Sequence, residues 1–347
     1  MVYVSIPGAP AHHNPTAPLP APVGATEPGD ASARGAGVGL GVLAGASAMV
    51  CVGSSVAVSG QLVGAPLFTA QAVRYAAACL LLLIFAHVAG RPVVLPRGRE
   101  WLWLAGVTVT GLVVFNIALV HGSRHAEPAV LGVAVACVPI VLAASGPLLE
   151  GRRPSPTVLA AALVVTCGAV LVQGLGRSDG TGLAWAGVVF GCEVGFTLLA
   201  VPVLGRHGPW GVSVHATWLA AVVFAVLGLL REGPAAMTEL GARDVLAVAY
   251  LAIAVTAVAF VLWYSSVERL GASRAGLLTG VAPVAAAASG VALGAAVPRP
   301  LVWLGIAVVA AGLVLGLPHS RPARRRGRRG HDRDDPPRRS GELPALE

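Results

Sequence analysis

The sequence contains little charge and no lysine. Only 12% of its 347 residues are charged, whereas soluble domains have roughly 25%. Hydrophobic residues make up 56% of the chain, and they form runs of about 20 residues, the length that crosses a bilayer as a helix. These runs are apolar on every side rather than on one face, which excludes a soluble helical core. The composition therefore indicates a multi-pass membrane protein.

Other absences narrow the function. Without lysine the chain cannot contain the GxxxxGK[ST] loop that binds ATP phosphates, so we expect no ATP hydrolysis by that route. Its five cysteines lack CxxC spacing and are interpreted as free thiols. No cluster of acidic residues or histidines marks a membrane-embedded enzyme, and no basic patch is interleaved with aromatic residues. We therefore predict no enzymatic activity, no metal or cofactor, and no nucleic-acid binding.

Ten apolar segments follow one another along the chain, which predicts an all-α membrane protein with ten transmembrane helices. Residues 1–34, which include the adjacent His12 and His13, are predicted to form a disordered leader, and residues 318–347 a disordered arginine-rich tail. The ten segments cover residues 37–58, 66–89, 101–121, 128–149, 156–174, 182–204, 209–230, 244–264, 273–295 and 300–317.

The arginines predict how the helices are oriented. Arginine-rich loops stay on the cytoplasmic side of a membrane, and the tail together with the loops at one end of the bundle holds most of the arginines. An even number of spans then places both termini in the cytoplasm and the protein in the cytoplasmic membrane. The loop arginines expected on the cytoplasmic side are Arg91, Arg97, Arg99, Arg152, Arg153, Arg206, Arg269 and Arg274, and those expected outside are Arg124, Arg177, Arg231, Arg243 and Arg299.

An internal repeat at an offset of 144 residues is the most informative pattern in the sequence. Three prolines and two glycines match in one ungapped register. Matches between apolar residues alone would not be significant in so apolar a chain. The matching pairs are Pro139/Pro283, Pro154/Pro298, Pro156/Pro300, Gly146/Gly290 and Gly168/Gly312. Each repeat, at residues 35–174 and 182–317, holds five spans, so the two halves enter the membrane in opposite orientations. Inverted repeats are typical of secondary transporters, whose substrate site lies between the repeats near the membrane midplane.

Residues in both repeats resemble the EamA family of the drug/metabolite transporter superfamily, over roughly residues 38–317. The resemblance implies ten helices in two inverted five-helix repeats and export of metabolites, amino acids or drugs. Two positions depart from it: span 1 has Val52-Gly53 in place of Trp-Gly, and Ala295 stands where an acidic residue often follows Leu-Gly. The residues that carry it are Pro66, Arg74, Pro139, Ser145-Gly146, Glu150 and Gly168, then Gly271-Ala272-Ser273, Pro283, Leu293-Gly294, Gly305 and Gly312.

Glu193 lies near the centre of the sixth span, where a carboxylate costs about 2.5–3.5 kcal/mol. We expect it to face a cavity, to pair with another group or to be protonated, which would suit a proton carrier or a cation ligand. The alternative is a hydrogen-bonded structural role. Thr197 follows on the same face of the helix, and Gly187, Gly191 and Gly195 form a small-residue stripe on the other, which predicts close contact with a neighbouring helix.

Further polar residues stand inside other spans. Arg74 could hold a substrate carboxylate, pair with the acid of span 6, or extend to the outer headgroups in a structural role. Asn116 and His215 could line a cavity or join helices, and His215 could titrate near neutral pH. Ser47 and Ser54 could line the cavity or bond their own backbone.

Two pairs of residues carry structural predictions. Pro139 and Pro283 lie within their spans at equivalent positions of the two repeats, and each is expected to kink its helix. Trp263 and Tyr264 close span 8, and they are interpreted as part of an aromatic belt at the membrane surface.

Together these features predict a secondary transporter that exports a small, amino-acid-like metabolite by proton exchange through Glu193. The implied partners are a small-molecule substrate, the lipid bilayer and protons, with a homodimer left open. A multidrug exporter that trades protons for lipophilic cations is one alternative, although it would need a more aromatic cavity than 5% aromatic residues suggest. A non-transporting membrane protein or a membrane enzyme is the alternative from another class.

Overall fold

The computed structural model describes residues 28–59, 64–292 and 298–317, and within these ranges it contains helices and no β-strand. Nine of the described helices are long and apolar enough to cross a membrane, and a tenth is shorter. His12 and His13, the leader up to residue 27, the arginine-rich tail and Leu293-Gly294 lie outside the described residues. The ten helices are α1 Pro28–Ser59, α2 Leu67–Val88, α3 Glu100–Gly122, α4 Pro128–Leu149, α5 Pro156–Gln173, α6 Gly180–Leu198, α7 Val201–Arg231, α8 Ala242–Leu270, α9 Ala272–Ala292 and α10 Pro300–Gly316.

The prediction of an all-α membrane protein with ten helices is confirmed, and most boundaries agree within a few residues. Three differ. Helix α1 begins at Pro28, within the stretch assigned to the leader. Helix α7 begins at Val201 and is broken at Gly208, where φ is 62°, so a kink stands where the sequence predicted a loop. Helix α8 continues to Leu270, beyond the predicted end at residue 264.

The helices of the two halves pack according to the 144-residue repeat. Helix α2 packs on its counterpart α7, α4 on α9, and α5 on α10. The repeat also relates two further contacts to each other. Helix α1 packs on α8, and their counterparts α6 and α3 pack on each other in the same way. Each helix and its counterpart are five positions apart in the order of the spans, so counterparts run in opposite directions and the halves form an inverted repeat.

The crossing of α5 and α10 explains one pair of repeated glycines. A Cβ atom at Gly168 would lie 2.6 Å from the backbone nitrogen of Val309, and one at Gly312 would lie 2.9 Å from that of Val165. Only glycine lets the two backbones approach so closely. The match between these glycines therefore has a packing cause on both sides of the symmetry.

The repeated prolines follow interruptions of their helices. Helix α4 is interrupted at Cys137, just before Pro139, and α9 passes through the 3₁₀ turn Leu278–Gly280 just before Pro283. Proline has no amide to donate to the preceding turn, so a helix loosens on that side. The kinks themselves remain predictions, and the interruptions lie where those kinks are expected.

Helix α2, which carries Arg74, is held at its start by a carboxylate from the end of α7. Glu232 accepts hydrogen bonds from the amides of Phe68 at 2.9 Å and Thr69 at 2.8 Å, and from the Thr69 hydroxyl at 2.7 Å. The first amides of a helix have no partner within it, and a negative charge there also stabilises the helix dipole. This contact fixes the position of α2 against α7.

We expect Glu232→Ala to destabilise the folded protein by about 1–2 kcal/mol, the usual effect of removing a helix cap. The measurement is the melting temperature of the purified protein in detergent. Glu239→Ala is the matched control, because Glu239 is an exposed acid on a short surface helix nearby. Equal melting temperatures for the two variants would contradict this role of Glu232.

At the same end of the bundle, two ion pairs join the α3–α4 loop to the α5–α6 loop. His125 Nδ1 lies 2.9 Å from Asp179, and Arg177 Nε donates to Glu127 at 3.1 Å. Asp179 also caps α6 by accepting from the amide of Gly182 at 2.7 Å. The Gly182 amide, and after it the His125 ring, hold the pKa of Asp179 below its ordinary value.

We expect Asp179→Asn to lower the melting temperature at neutral pH, and the difference from wild type to narrow as the pH falls below about 4. A carboxyl whose pKa is lowered by folding stabilises the folded state above its ordinary pKa. That contribution is lost as the pH falls through the lower pKa of the folded state. Melting curves at a series of pH values measure this, with the exposed Glu268→Gln as control. A difference that stays constant into acid would overturn the assignment.

Candidate functional site

A cavity of about 150 Å³ lies among helices of both halves. Its walls come from α1, α2 and α3 of the first half and from α6 and α8 of the second. Three residues singled out in the sequence, Arg74, Asn116 and Glu193, line it together. The other lining residues are Met49, Val52, Ser55, Tyr75, Gly111, Phe115, Leu119, Phe196, Leu251, Val255, Ala259, Phe260 and Trp263.

A larger groove of about 480 Å³ lies between α2 and α7. No charged side chain lines it, and several of its lining residues, such as Val222, Leu229 and Met237, are exposed apolar side chains. In a membrane such a surface faces lipid. We therefore assign the candidate site to the smaller cavity, where the polar residues meet.

The lining of the cavity follows the repeat. An offset of 144 residues carries six of its first-half residues onto six of its second-half residues. The pairs are Met49/Glu193, Val52/Phe196, Gly111/Val255, Phe115/Ala259, Asn116/Phe260 and Leu119/Trp263. The cavity therefore lies on the pseudo-twofold axis that relates the halves. Equivalent positions nevertheless carry different chemistry, so its polar groups are arranged without symmetry.

Each half also contributes a stretch of π-helix to the cavity. These stretches are Thr108–Val114 in α3 and Leu251–Val258 in α8, and the same offset carries the first onto residues 252–258. A π-turn holds an extra residue and is frequent at functional sites. It also frees backbone carbonyls for side-chain donors, and the carbonyl of Leu112 accepts such a bond from Asn116 at 2.6 Å.

Arg74 is buried in the cavity wall, with 9% of its surface exposed. Its Nε donates to the hydroxyl of Thr256 in α8 at 2.9 Å, and its Nη1 donates to the side-chain oxygen of Gln71 at 3.4 Å. The guanidinium also lies 5.1 Å from the centroid of the Tyr75 ring. Within the described ranges, no carboxylate lies within 4.0 Å of Arg74, and its Nη2 has no hydrogen-bond partner.

A network of side chains orients Arg74. Gln71 Nε2 donates to Asn116 Oδ1 at 3.1 Å, and Asn116 Nδ2 donates to the Tyr75 hydroxyl at 2.9 Å. Tyr75 stacks on Phe224 of α7, with ring centroids 5.7 Å apart. The network joins α2 to α3 and α7, so the position of the guanidinium depends on the packing of both halves.

Glu193 lines the same cavity and makes no hydrogen bond or ion pair with any residue that the structure describes. The pairing with Arg74 that the sequence left open is thus not formed. An acid and a base that share a cavity without pairing suit a small ligand that carries charge, or protons, because a charge in a membrane interior needs compensation.

Three other predicted residues do not line the cavity. Ser54 joins α1 to α8, because its hydroxyl lies 2.6 Å from that of Tyr250. Thr197 is buried in α6, and its hydroxyl has no partner among the described residues. Ser47 is half-buried in α1. For these residues the prediction of a place in the substrate pathway gains no geometric support.

His215 belongs to a separate polar cluster, at the end of the bundle where α3 and α7 begin. Its Nε2 donates to the carbonyl of Val94 at 2.9 Å, and its Nδ1 accepts from the Trp218 indole at 3.2 Å. The ring thus joins α7 to the α2–α3 loop. The ring of His207, 5.4 Å away, contacts Glu100. No group of three or more His, Cys, Asp or Glu side chains in the described part of the chain could hold a metal ion.

Trp263 and Tyr264 lie in the core, and the prediction that they belong to an aromatic belt is wrong. They are 3% and 0% exposed. Trp263 lines the cavity, and the Tyr264 hydroxyl donates to the Phe196 carbonyl at 3.3 Å. Helix α8 continues to Leu270, beyond the predicted end of the span at residue 264, and carries both rings inside the bundle.

The predicted glycine seam of α6 is correct at one of its three positions. A Cβ atom at Gly195 would contact Thr110 at 3.1 Å. Such an atom at Gly187 or Gly191 would meet no described atom within 4 Å, and both residues are exposed. Helix α6 therefore turns these two glycines to the surface, while Glu193 faces the cavity.

Residues 39–173 and 181–317 each match the EamA-like transporter family, one match for each half of the bundle. The chain belongs to this family. The resemblance inferred from the sequence is confirmed, and the protein is a membrane transporter rather than an enzyme.

Two curated relatives are named as transporters. The uncharacterized transporter YetK of Bacillus subtilis (strain 168) is 29% identical over 280 residues, which cover 77% of this chain and 84% of YetK. A probable terminal-alkyne amino-acid exporter of Streptantibioticus cattleyicolor is 31% identical over 226 residues, which cover 63% of this chain and 74% of the relative.

The fold also matches a solved structure. A crystal structure of a protein superimposes with a TM-score of 0.68 at 20% identity, and the match covers 79% of this chain and 95% of that chain. At this identity the likeness concerns the fold alone.

We expect Gly111→Ala to destabilise this transporter by about 1–3 kcal/mol, the usual cost of overpacking. Gly111 lies in the π segment of α3, where a Cβ atom would overlap the Phe196 ring of α6. Gly191→Ala is the matched control, because space is open there and alanine is the better helix former. Melting temperatures compare the two variants, and equal values would show that Phe196 is not packed against Gly111.

Proposed function

We propose that this transporter exports a small amino-acid-like metabolite from the cytoplasm across the cytoplasmic membrane, by exchange for protons at Glu193. The observation that carries the proposal is the position of Glu193, which lines a cavity on the symmetry axis and has no partner among the described residues. The relative named as a probable terminal-alkyne amino-acid exporter supports the substrate class.

The proposed orientation rests on the arginines. The loops and helix ends at one end of the bundle hold eight arginines, against five at the other end, and arginine-rich loops mark the cytoplasmic side. Both termini are then cytoplasmic. In this orientation export moves the substrate away from the arginine-rich end of the bundle. It leaves at the opposite end, where Asp179 contacts the α3–α4 loop and Glu232 caps α2.

The inverted halves supply the means of transport. In such folds one half rocks against the other around a fixed central site, which then opens to each side in turn. Here the site is the cavity between α1–α3 and α6/α8, whose lining residues are paired by the repeat. The π segments of α3 and α8 lie at the moving contact, where a helix with an extra residue per turn can adjust locally.

Proton exchange follows from the chemistry of an isolated carboxyl. In a membrane interior Glu193 is favoured either as the neutral acid or as a carboxylate beside a cationic group. A bound substrate amino group and a proton would therefore replace one another. The exchange couples outward movement of substrate to inward movement of a proton.

A second candidate is an exporter of lipophilic cations. The cavity is more aromatic than the composition suggested, since Tyr75, Phe115, Phe196, Phe260 and Trp263 all line it, and aromatic faces bind cations. Arg74 in the same wall counts against it, because its positive charge repels a cation. Transport assays with a lipophilic cation distinguish the two candidates.

We expect Glu193→Gln to reduce export at least about tenfold, the effect of losing one charge-assisted contact. The measurement is efflux of a panel of labelled amino acids from cells that express wild type or variant at matched membrane abundance. Glu268→Gln, at an exposed position of α8, should export like wild type.

Three outcomes would redirect the proposal. Export that survives Glu193→Gln would return Glu193 to a structural role. Wild-type export of a lipophilic cation, with no amino acid moved, would favour the second candidate. Export that does not depend on the proton gradient would remove the proton from the mechanism.

A further inference from the structure

Arg74 is a buried charge that the protein itself does not neutralise. In the described part of the molecule no acid lies within ion-pairing distance, although Glu193 lines the same cavity. Proteins rarely bury a charged side chain without a partner, because removing the charge from water is costly. An arginine kept in this state therefore points to a negative group that comes from outside the protein.

The guanidinium is also held in a defined orientation. Its Nε is bonded to Thr256, its Nη1 approaches Gln71, and its plane lies near the Tyr75 ring. The bond to Thr256 crosses from α2 to α8, so the side chain points into the bundle rather than along the membrane toward headgroups. Nη2 remains without a protein partner among the described residues.

This geometry suits a carboxylate. A planar guanidinium offers parallel N–H donors that match the two oxygens of a carboxylate, and an arginine fixed by other bonds loses little freedom when it binds one. The network through Gln71, Asn116 and Tyr75 supplies that fixation before any ligand arrives.

We propose that Arg74 binds the carboxylate of a zwitterionic substrate whose amino group lies toward Glu193. The proposal rests on the proposed function and narrows the substrate to an amino acid with a small apolar side chain. Its side chain would contact the rings of Phe115, Phe196 and Phe260, which line the same cavity of about 150 Å³. Arg74 and Glu193 then select for both charges at once.

The test measures binding to the purified full-length protein in lipid nanodiscs. The probes are L-leucine, 3-methylbutylamine, which lacks the carboxylate, and 4-methylpentanoate, which lacks the amino group. For wild type we expect both analogues to bind at least about tenfold more weakly than leucine, because each loses one charge-assisted contact.

The variants separate the two ends of the site. Arg74→Gln should weaken leucine binding to the level of the amine while leaving the affinity for the amine unchanged. Glu193→Gln should weaken leucine and the amine but not 4-methylpentanoate. Arg74→Lys should retain part of the preference for leucine, since it keeps the charge but loses the fork of donors. Arg243→Gln, at an exposed arginine of α8, should change none of these values.

Each outcome decides the proposal. Loss of the preference for leucine over the amine in Arg74→Gln supports it. It is overturned if wild type binds the amine as tightly as leucine, or if Arg74→Gln weakens both equally. If Arg74→Gln does not fold, the wild-type analogue series and Arg74→Lys decide alone. If cells export the amino acid but the binding measurements contradict the role of Arg74, the proposed function is upheld and the role of Arg74 is rejected.

Discussion

A charge inside a membrane-spanning bundle is costly unless water, an opposite charge or a proton compensates it, and much of this structure follows from that cost. Arg74 and Glu193 both lie on the wall of one cavity. The bond of Arg74 to Thr256, and its link through Gln71 to Asn116, require α2, α3 and α8 to keep their relative positions. The contact of Glu232 with the start of α2 holds one of these helices in place. The packing of several helices thus serves two groups that do not contact each other.

The inverted repeat organises the backbone but not the chemistry. Gly168 and Gly312 each allow the backbones of α5 and α10 to approach closely, on two sides of the axis. The two π segments also coincide under the 144-residue offset. At the cavity the rule changes, because the counterpart of Glu193 is Met49 and the counterpart of Asn116 is Phe260. Positions that shape helices have kept their match, whereas positions that face the cavity have diverged.

Much of the fold could be predicted from the sequence, because helices in lipid must satisfy their own backbone and therefore appear as long apolar runs. The repeat gave the inverted halves, and the isolated polar residues pointed to Arg74, Asn116 and Glu193. The rest depended on information that a single sequence does not carry. A π-turn needs no particular residue, so Thr108–Val114 resembles any other apolar stretch, and the true length of α8, which buries Trp263, is set by tertiary contacts.

The asymmetry of the cavity bears on the resting state of the transporter. If the inward-open and outward-open forms are related by exchanging the roles of the two halves, a molecule with identical halves would populate them equally. Here the exchange places Glu193 where Met49 stood and Phe260 where Asn116 stood, so the two forms bury different groups and differ in free energy. Without a ligand one of the two forms is therefore more populated than the other, and the difference between the halves determines which form that is.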